Sequence, residues 1–434
     1  MMRRVGGIVD VDIAGVDTGS RTRLVDGRLI LDPLELARVV TRDVRIDQAR
    51  VHLVHPGDDI RLVHVLDVVQ PVSRMGGGNQ AVFPGILTSA AQLGRGPVLR
   101  VNGVKVTVLG VIPAVDSFFT QQEGVLEMRD ESAELSPLTR EPHVVLELSV
   151  DPETAPATAA EAYRTAALRV ARHIGEVVAH QLGLDELSGH RGPTPDSGQV
   201  HSRRLRLIHI CEVSAFGSLF DTLIAGRSAR DMLPTTLSPL ALAGGAVVSA
   251  DYHYAGQRNY TCYYQSNPVE ESVDAGGFEF LGTILLPVGR DDTKKTTGAA
   301  FAAQLAELAG AGGVVVSAVA GGNAHLDVMY AVRECERRGI PTVLSIVEMA
   351  GSTGADPGMV DTVPEADLMV STGNREELIL LAPTGTVLGG VRLLDGPEDE
   401  SGGMDAGGEL RVPLRTIVGS NNQMGAWRIG ATLS

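Results

Sequence analysis

Gly313-Val314-Val315-Val316-Ser317, followed by the turn Gly321-Gly322-Asn323, decides the fold class. Three successive valines favour a pleated conformation, and a short apolar run bounded by glycines is the pattern of a buried strand. Downstream, Leu326 to Arg338 reads as a helix and Thr342 to Val347 as the next strand. Strand, helix and strand at this spacing make a parallel crossover unit.

Working outward, Leu205 to Val213 and Phe278 to Pro287 read as further strands, with a helix around Ala299 to Leu308. Ala366 to Ser371 and Glu377 to Leu381 add two more. The region 276–434 is therefore predicted as a doubly wound, mostly parallel α/β domain of Rossmann or flavodoxin type. Its ligand site is expected at the carboxyl ends of the strands. The region 1–155 differs. Short Val/Leu/Ile runs such as Arg50 to Val54 and Lys105 to Leu109 alternate with Gly, Pro and Asp turns, so a β-rich domain is predicted, with one helix near Pro33 to Val40. A middle segment, 156–275, opens after Asp151 to Pro156 with a long helical pattern from Ala159 to about Leu184. Met75 to Asn79, Ser188 to Ser202 and the acidic, Gly-rich Asp395 to Gly408 read as loops. There is no internal repeat.

Composition narrows the function. The chain has 434 residues and a formal charge of −16, so nucleic acid is not an expected partner. The short basic clusters Met1 to Arg4 and Ser202 to Arg206 read as solvated surface. Three cysteines, Cys211, Cys262 and Cys335, are too sparse and odd a set for a disulfide scaffold, and a reducing cytoplasm is the expected location. No apolar run approaches the ~18 residues of a membrane span, and the N-terminus lacks the apolar core of a signal peptide. No metal is expected. No His/Cys group has zinc spacing, and His52 and His55 fall on opposite faces of a strand, with His64 further along. Neither a GxGxxG nor a P-loop is present, so no nucleotide is predicted.

Several stretches, in order, resemble one family. They begin with His55-Pro56-Gly57, Arg61, Asp67-Val68-Val69 and Ala81-Val82-Phe83-Pro84-Gly85. Ser238-Pro239-Leu240, Gly245-Ala246-Val247-Val248-Ser249 and Arg258 to Val269 follow. The later pieces are Gly321-Gly322-Asn323, Gly339 to Val343, Glu348 to Gly351, Pro364 to Asp367, Val370 to Asn374 and Gly419 to Gly425. Together they resemble the α/β-subunit proprotein of component B of glycine/sarcosine/betaine reductase, and its relative, the D-proline reductase proprotein.

That resemblance implies a reductive deaminase subunit acting on a small amino acid or N-methylated amine. It implies a pyruvoyl group made from a cysteine of the proprotein: the thiol attacks the preceding carbonyl, the chain breaks and the sulfur is eliminated. The resulting ketone forms a Schiff base with the substrate amine, which turns it into an activated leaving group. A low-pKa thiolate or selenolate on a separate partner subunit then attacks the α-carbon. Betaine has no N–H and cannot form the Schiff base, so one rule does not cover every family substrate. Homo- or hetero-oligomers are expected, and this chain alone is expected to be inactive.

Cys262 is the candidate for processing. The family pattern places the processed cysteine upstream, yet Ser249 to Asn259 contains none. Three readings of Cys262 therefore stand side by side: pyruvoyl precursor, half-buried structural thiol on a strand edge, and intact thiol in repurposed chemistry. An unprocessed, non-catalytic subunit that positions the partner is the rival for the whole chain. Gln265 and Asn267 in the adjoining Gln-Ser-Asn-Pro motif are candidate substrate contacts. Asn323 and His325 open a helix whose N-terminus could hold a substrate carboxylate; simple capping by Asn323 is the alternative. Glu348, at a strand's carboxyl end, is a candidate for proton transfer or for holding an ammonium, against a plain surface acid. Cys211 and Cys335 read as packing residues.

Overall fold

Local signals build the N-terminal part. Strands β1 (Met2–Val5) and β2 (Ile8–Asp12) precede helix α1 (Pro33–Val40). Asp32 caps α1 by accepting a hydrogen bond from the Leu34 N–H at 2.9 Å, and Pro33 supplies a preset φ at the first turn. Then come β3 (Ile46–Val54), β4 (Val65–Val69), β5 (Val72–Arg74), β6 (Val98–Asn102), β7 (Lys105–Leu109) and β8 (His143–Val150). They form two four-stranded mixed sheets, in the orders β1-β2-β6-β5 and β3-β8-β7-β4.

The computed structural model describes residues 2–5, 7–75, 82–113, 124–184, 204–216, 221–249, 255–319, 321–393 and 404–426. The expected loops at 76–79 and 188–202, and residues 395–403 of the acidic stretch, lie outside the described residues.

Helix α2 (Pro156–Gln181) is rich in alanine on its inner face and joins the core of the N-terminal sheets through Ala159, Ala166, Ile174 and Val178. Gly175 sets the distance. A Cβ there would lie 2.3 Å from the Val72 carbonyl, so the helix backbone rides directly on β5.

The second half is built on a six-stranded sheet. Its strands are β9 (Arg206–Val213), β10 (Thr235–Leu237), β11 (Glu279–Pro287), β12 (Gly313–Ser317), β13 (Thr342–Glu348) and β14 (Met369–Asn374). The order is β10-β11-β9-β12-β13-β14, all parallel except β10 on the edge. Helices α3 (Thr261–Gln265) and α4 (Pro268–Ala275) precede β11, and α5 (Asp292–Leu308) and α6 (His325–Glu336) follow it. The chain lays β11 on one side of β9 and β12 on the other. The crevice between the ends of β9 and β12 is thus the topological switch point, where ligands bind in such sheets.

The two sheet faces are covered differently. Ile208, Ile210, Ile284 and Val316 pack against α5 and α6. Cys211, Val213, Leu285 and Val319 point the other way, into a core shared with Tyr260, Cys262 and Tyr263. Period-two alternation assigns these faces.

Three expectations need correction. Helix α5 starts at Asp292, well before Ala299, because the Asp291 carboxylate accepts from the Lys294 N–H at 2.9 Å and so caps it there. The strand expected from Glu377 is Leu378–Leu381, and it pairs antiparallel with Leu410–Pro413, outside the parallel sheet. Asn374 turns the chain away, its Oδ1 accepting from the Ala350 N–H at 3.2 Å and the Glu376 N–H at 3.1 Å. Cys262 sits in the first turn of α3, fully inside, and not on a strand edge.

Candidate functional site

The Cys262 segment is held by a polar network. Asp67, in the middle of the apolar strand β4, accepts from the Thr261 N–H at 3.0 Å and from the Thr261 hydroxyl at 2.6 Å. Gln265 brackets the other end, accepting from the Gln70 N–H at 2.9 Å and donating to the Gln70 carbonyl at 3.1 Å. Asn267 caps α4 by accepting from the Val269 N–H at 3.0 Å. That bond fixes its amide orientation, so its Nδ2 donates to His209 Nδ1 at 3.2 Å and to the Thr283 hydroxyl at 3.1 Å. His209 then carries its proton on Nε2, 2.8 Å from Ser317 Oγ, and burial pushes it down to about 3, so it is neutral.

Burial pushes the Cys262 thiol well up, with the nearby charges of Asp67 and Glu141 adding to the rise and Lys105 opposing it. Burial also raises the Asp67 carboxyl to about 6, against the hydrogen bonds from Thr261 and Val68. Cys262 lies on the wall of a cavity of about 830 Å3, with Tyr263, Arg100, Lys105, Glu141 and Glu271. The cations are paired: Arg100 with Asp10 at 2.8 Å and Lys105 with Glu141 at 2.8 Å.

A second polar group lies at the switch point. Glu212, next to last in β9, is fully buried, and its Oε2 accepts from the Val319 N–H at 2.9 Å. Its Oε1 has no hydrogen-bond partner among the described residues, nor has Ser214 Oγ two residues on. Lys295 on α5 pairs with Asp327 on α6 and donates to the Asn323 carbonyl at 3.0 Å. Asp327 also accepts from the Gly289 N–H at 2.8 Å. Burial, with the charge of Asp327 nearby, pushes Glu212 well above the usual carboxylate range. One of its two oxygens is unused among the described residues.

The expected residues at this end are placed as follows. His325, the first residue of α6, is buried with both ring nitrogens unpartnered among the described residues. Burial pushes it down to about 4, helped by the Arg375 guanidinium, so its ring is neutral. Asn323 is exposed and does not cap α6; its main-chain carbonyl is used instead, by Lys295. Glu348 ends β13, half-buried, and its carboxylate makes no ion pair or hydrogen bond among the described residues. The six candidates thus fall into two sets: Cys262, Gln265 and Asn267 in one buried segment, and Asn323, His325 and Glu348 at the strand ends.

Asp67, Glu212, Lys295 and Asp327 escape a reading of the sequence. Two of them carried a signal: Asp67 and Glu212 are charged residues inside otherwise apolar strands, where a carboxylate is costly unless it has a task. Lys295 and Asp327 look like ordinary solvated helix charges until the fold joins them.

Fold and site together define an α/β protein with buried acid–base groups around a lone thiol and at the carboxyl edge of a parallel sheet. The chain belongs to the family of glycine/sarcosine/betaine reductase component B subunits, whose profile matches residues 7–432. It is 26% identical over 424 residues to the glycine reductase complex component B subunits alpha and beta of Acetoanaerobium sticklandii, covering 96% of each chain. It is 27% identical over 440 residues to the sarcosine reductase complex component B subunit alpha of Peptoclostridium acidaminophilum, covering 95% of this chain and 97% of that one. The betaine reductase complex component B subunit alpha of the same organism is 26% identical over 417 residues, covering 94% and 93%. No solved structure matches. No helix among the described residues is long and apolar enough to cross a membrane.

Proposed function

We propose that this chain is the component B subunit of a reductase complex that cleaves the C–N bond of a small amino acid or N-methylated amine, and that its working centre forms at Cys262. One observation carries the reading. Cys262 lines the 830 Å3 cavity directly after Thr261, a residue that Asp67 grips at two atoms. Self-processing requires the thiol to add to the Thr261 carbonyl, a proton to leave sulfur and a proton to reach the departing amide nitrogen. A carboxyl raised to about 6 against Thr261 is suited to hold and return that proton near neutral pH.

The residues present fit a pyruvoyl group at position 262, whose carbonyl would supply an electrophile toward an amine. Around it, Arg100 and Lys105 offer cations to a substrate carboxylate, and Glu141 and Glu271 offer anions to an ammonium. Gln265 and Asn267 hold the segment in place, because their amides are occupied by Gln70, His209 and Thr283.

The reductant side belongs to another chain. Burial raises Cys211 and Cys335 to about 12 and Cys262 higher still, so no cysteine here is a ready thiolate at neutral pH. A thiol- or selenol-bearing partner subunit meets that need, and the isolated protein is expected to show no turnover.

A second reading seats the substrate at the switch point. The unpartnered atoms of Glu212, Ser214 and His325 favour it. Under this reading the turn at Asn323 and His325 receives the carboxylate, and Glu348 at the end of β13 faces the ammonium.

The test is labelling with a fluorescent hydrazide, followed by mapping. The first reading predicts one label on the fragment that begins at position 262, reduced by prior incubation with glycine or sarcosine. Label elsewhere, or none, refutes it; protection lost in Glu212→Gln but kept in Lys105→Gln favours the second.

A further inference from the structure

Helix α2 carries a stripe of charge on its outward face: Glu161, Arg164, Arg169 and Arg172 recur at three- to five-residue steps. The stripe looks onto a cavity of about 540 Å3, closed on the far side by the loops at Gly85 to Leu87 and Leu223 to Gly226, with Arg45 at one end.

The far wall is rigid. Gly85 and Gly226 both adopt positive φ, +83° and +79°. A Cβ on Gly85 would lie 1.9 Å from the Ala225 carbonyl oxygen, and one on Gly226 would lie 2.2 Å from the Gly85 carbonyl oxygen. The two loops are therefore locked backbone to backbone, and only glycine fits either position.

The charges in the cleft do not balance. Arg45 holds Asp43 at 2.7 Å and Glu161 at 3.2 Å. Arg169 reaches the same Asp43 at 3.4 Å, and Arg172 holds Glu176 at 2.6 Å. Arg164 makes no ion pair or hydrogen bond among the described residues. Its Nε is buried without an acceptor among the described residues, and the residue is only 9% exposed. A guanidinium cannot shed its proton to relieve this, and a buried donor left unmade is costly. In a chain of net charge −16, such a cationic cleft is a local feature that the overall charge opposes.

We propose that this cleft is a binding site for a small phosphate-bearing ligand, with Arg164 as its central donor and Arg172 as its second. The volume suits a small molecule. The planar guanidinium pairs with two oxygens of a tetrahedral oxyanion at once. Ile86, Leu87 and Leu223 provide apolar surface for a short organic group beside the phosphate.

The site is separate from Cys262 and from the crevice at β9 and β12, so it stands whatever becomes of the proposed chemistry. Calorimetric titration of the full-length protein tests it, with inorganic phosphate and with glycerol 3-phosphate, at fixed ionic strength set by chloride. Saturable binding of either, weakened at least about ten-fold in Arg164→Gln and several-fold in Arg172→Gln, supports the site. Arg338→Gln, whose ion pairs among the described residues are with Glu334 and Glu307, serves as the control and should leave the affinity unchanged. Tighter binding of the monoester than of inorganic phosphate identifies an organic phosphate as the ligand type; the reverse identifies free phosphate. No saturable heat with either ligand overturns the proposal. So does an affinity that Arg164→Gln leaves unchanged in a variant whose circular dichroism matches the parent.

Discussion

Alternate residues of one strand, β9, feed two polar groups on opposite faces of its sheet, and the two groups differ in kind. On one face His209 and Cys211 meet Asn267, Ser317 and Asn259, and every polar atom of His209 and Asn267 has a partner. On the other face Glu212 and Ser214 end with an oxygen each that nothing described satisfies. A completed buried network fixes position: removing one member strands the rest. An incomplete one keeps unused bonding capacity, which a ligand or a moving proton can take up. The segment bearing Cys262 is built on the first face, and the switch-point crevice opens at the second.

The sharpest break of this contrast is Cys262→Ala. If the working centre forms at Cys262, the variant should yield no fragment beginning at position 262 and no carbonyl label, while circular dichroism stays unchanged. Asn267→Ala comes next. It removes the cap of α4 and leaves His209 and Thr283 short of a donor, so urea unfolding should show a loss of roughly 2–4 kcal/mol.

The pH dependence of stability sharpens the comparison further. The Asp67 carboxyl is raised in the folded state from 3.8 to about 6, so the folded protein binds a proton that the unfolded chain has released. Its contribution is therefore full below about pH 4 and is lost as the pH rises toward 6, roughly 2–3 kcal/mol in all. Urea midpoints of the parent minus those of Asp67→Asn should fall over that window; a flat difference would remove Asp67 from the argument. The same variant should slow scission before Cys262 by on the order of 100-fold, followed on gels. The smallest effect is expected from Glu212→Gln. Its Oε1 is unused among the described residues and glutamine keeps an acceptor for the Val319 N–H, so stability should change by less than about 1 kcal/mol. A loss as large as that of Asn267→Ala would erase the distinction between the two faces.

Much of the architecture was legible in the sequence. Gly313 to Ser317 and Thr342 to Val347 read correctly because β-branched runs bounded by Gly and Pro have few other solutions. Helix α1 was legible as a helix near Pro33 to Val40. The start of α5 was not, since the threonines, lysines and glycine upstream of Ala299 show no apolar periodicity and the Asp291 cap alone sets it. The strand after Glu377 had the right type but an unforeseen partner, because pairing with Leu410–Pro413 is a long-range event. The candidate site was legible in part. Cys262, Gln265 and Asn267 were visible as one motif, and the strand-end residues as turns. The union of Glu212 with Lys295 and Asp327 depends on three elements far apart in the chain, and no local pattern announces it.

The most direct measurement is the intact mass of the purified protein under denaturing conditions. Formation of the working centre at Cys262 predicts two polypeptides, residues 1–261 and 262–434, the second blocked to Edman degradation and reactive toward hydrazide. A single mass for the uncut chain, with no carbonyl reactivity, would contradict it.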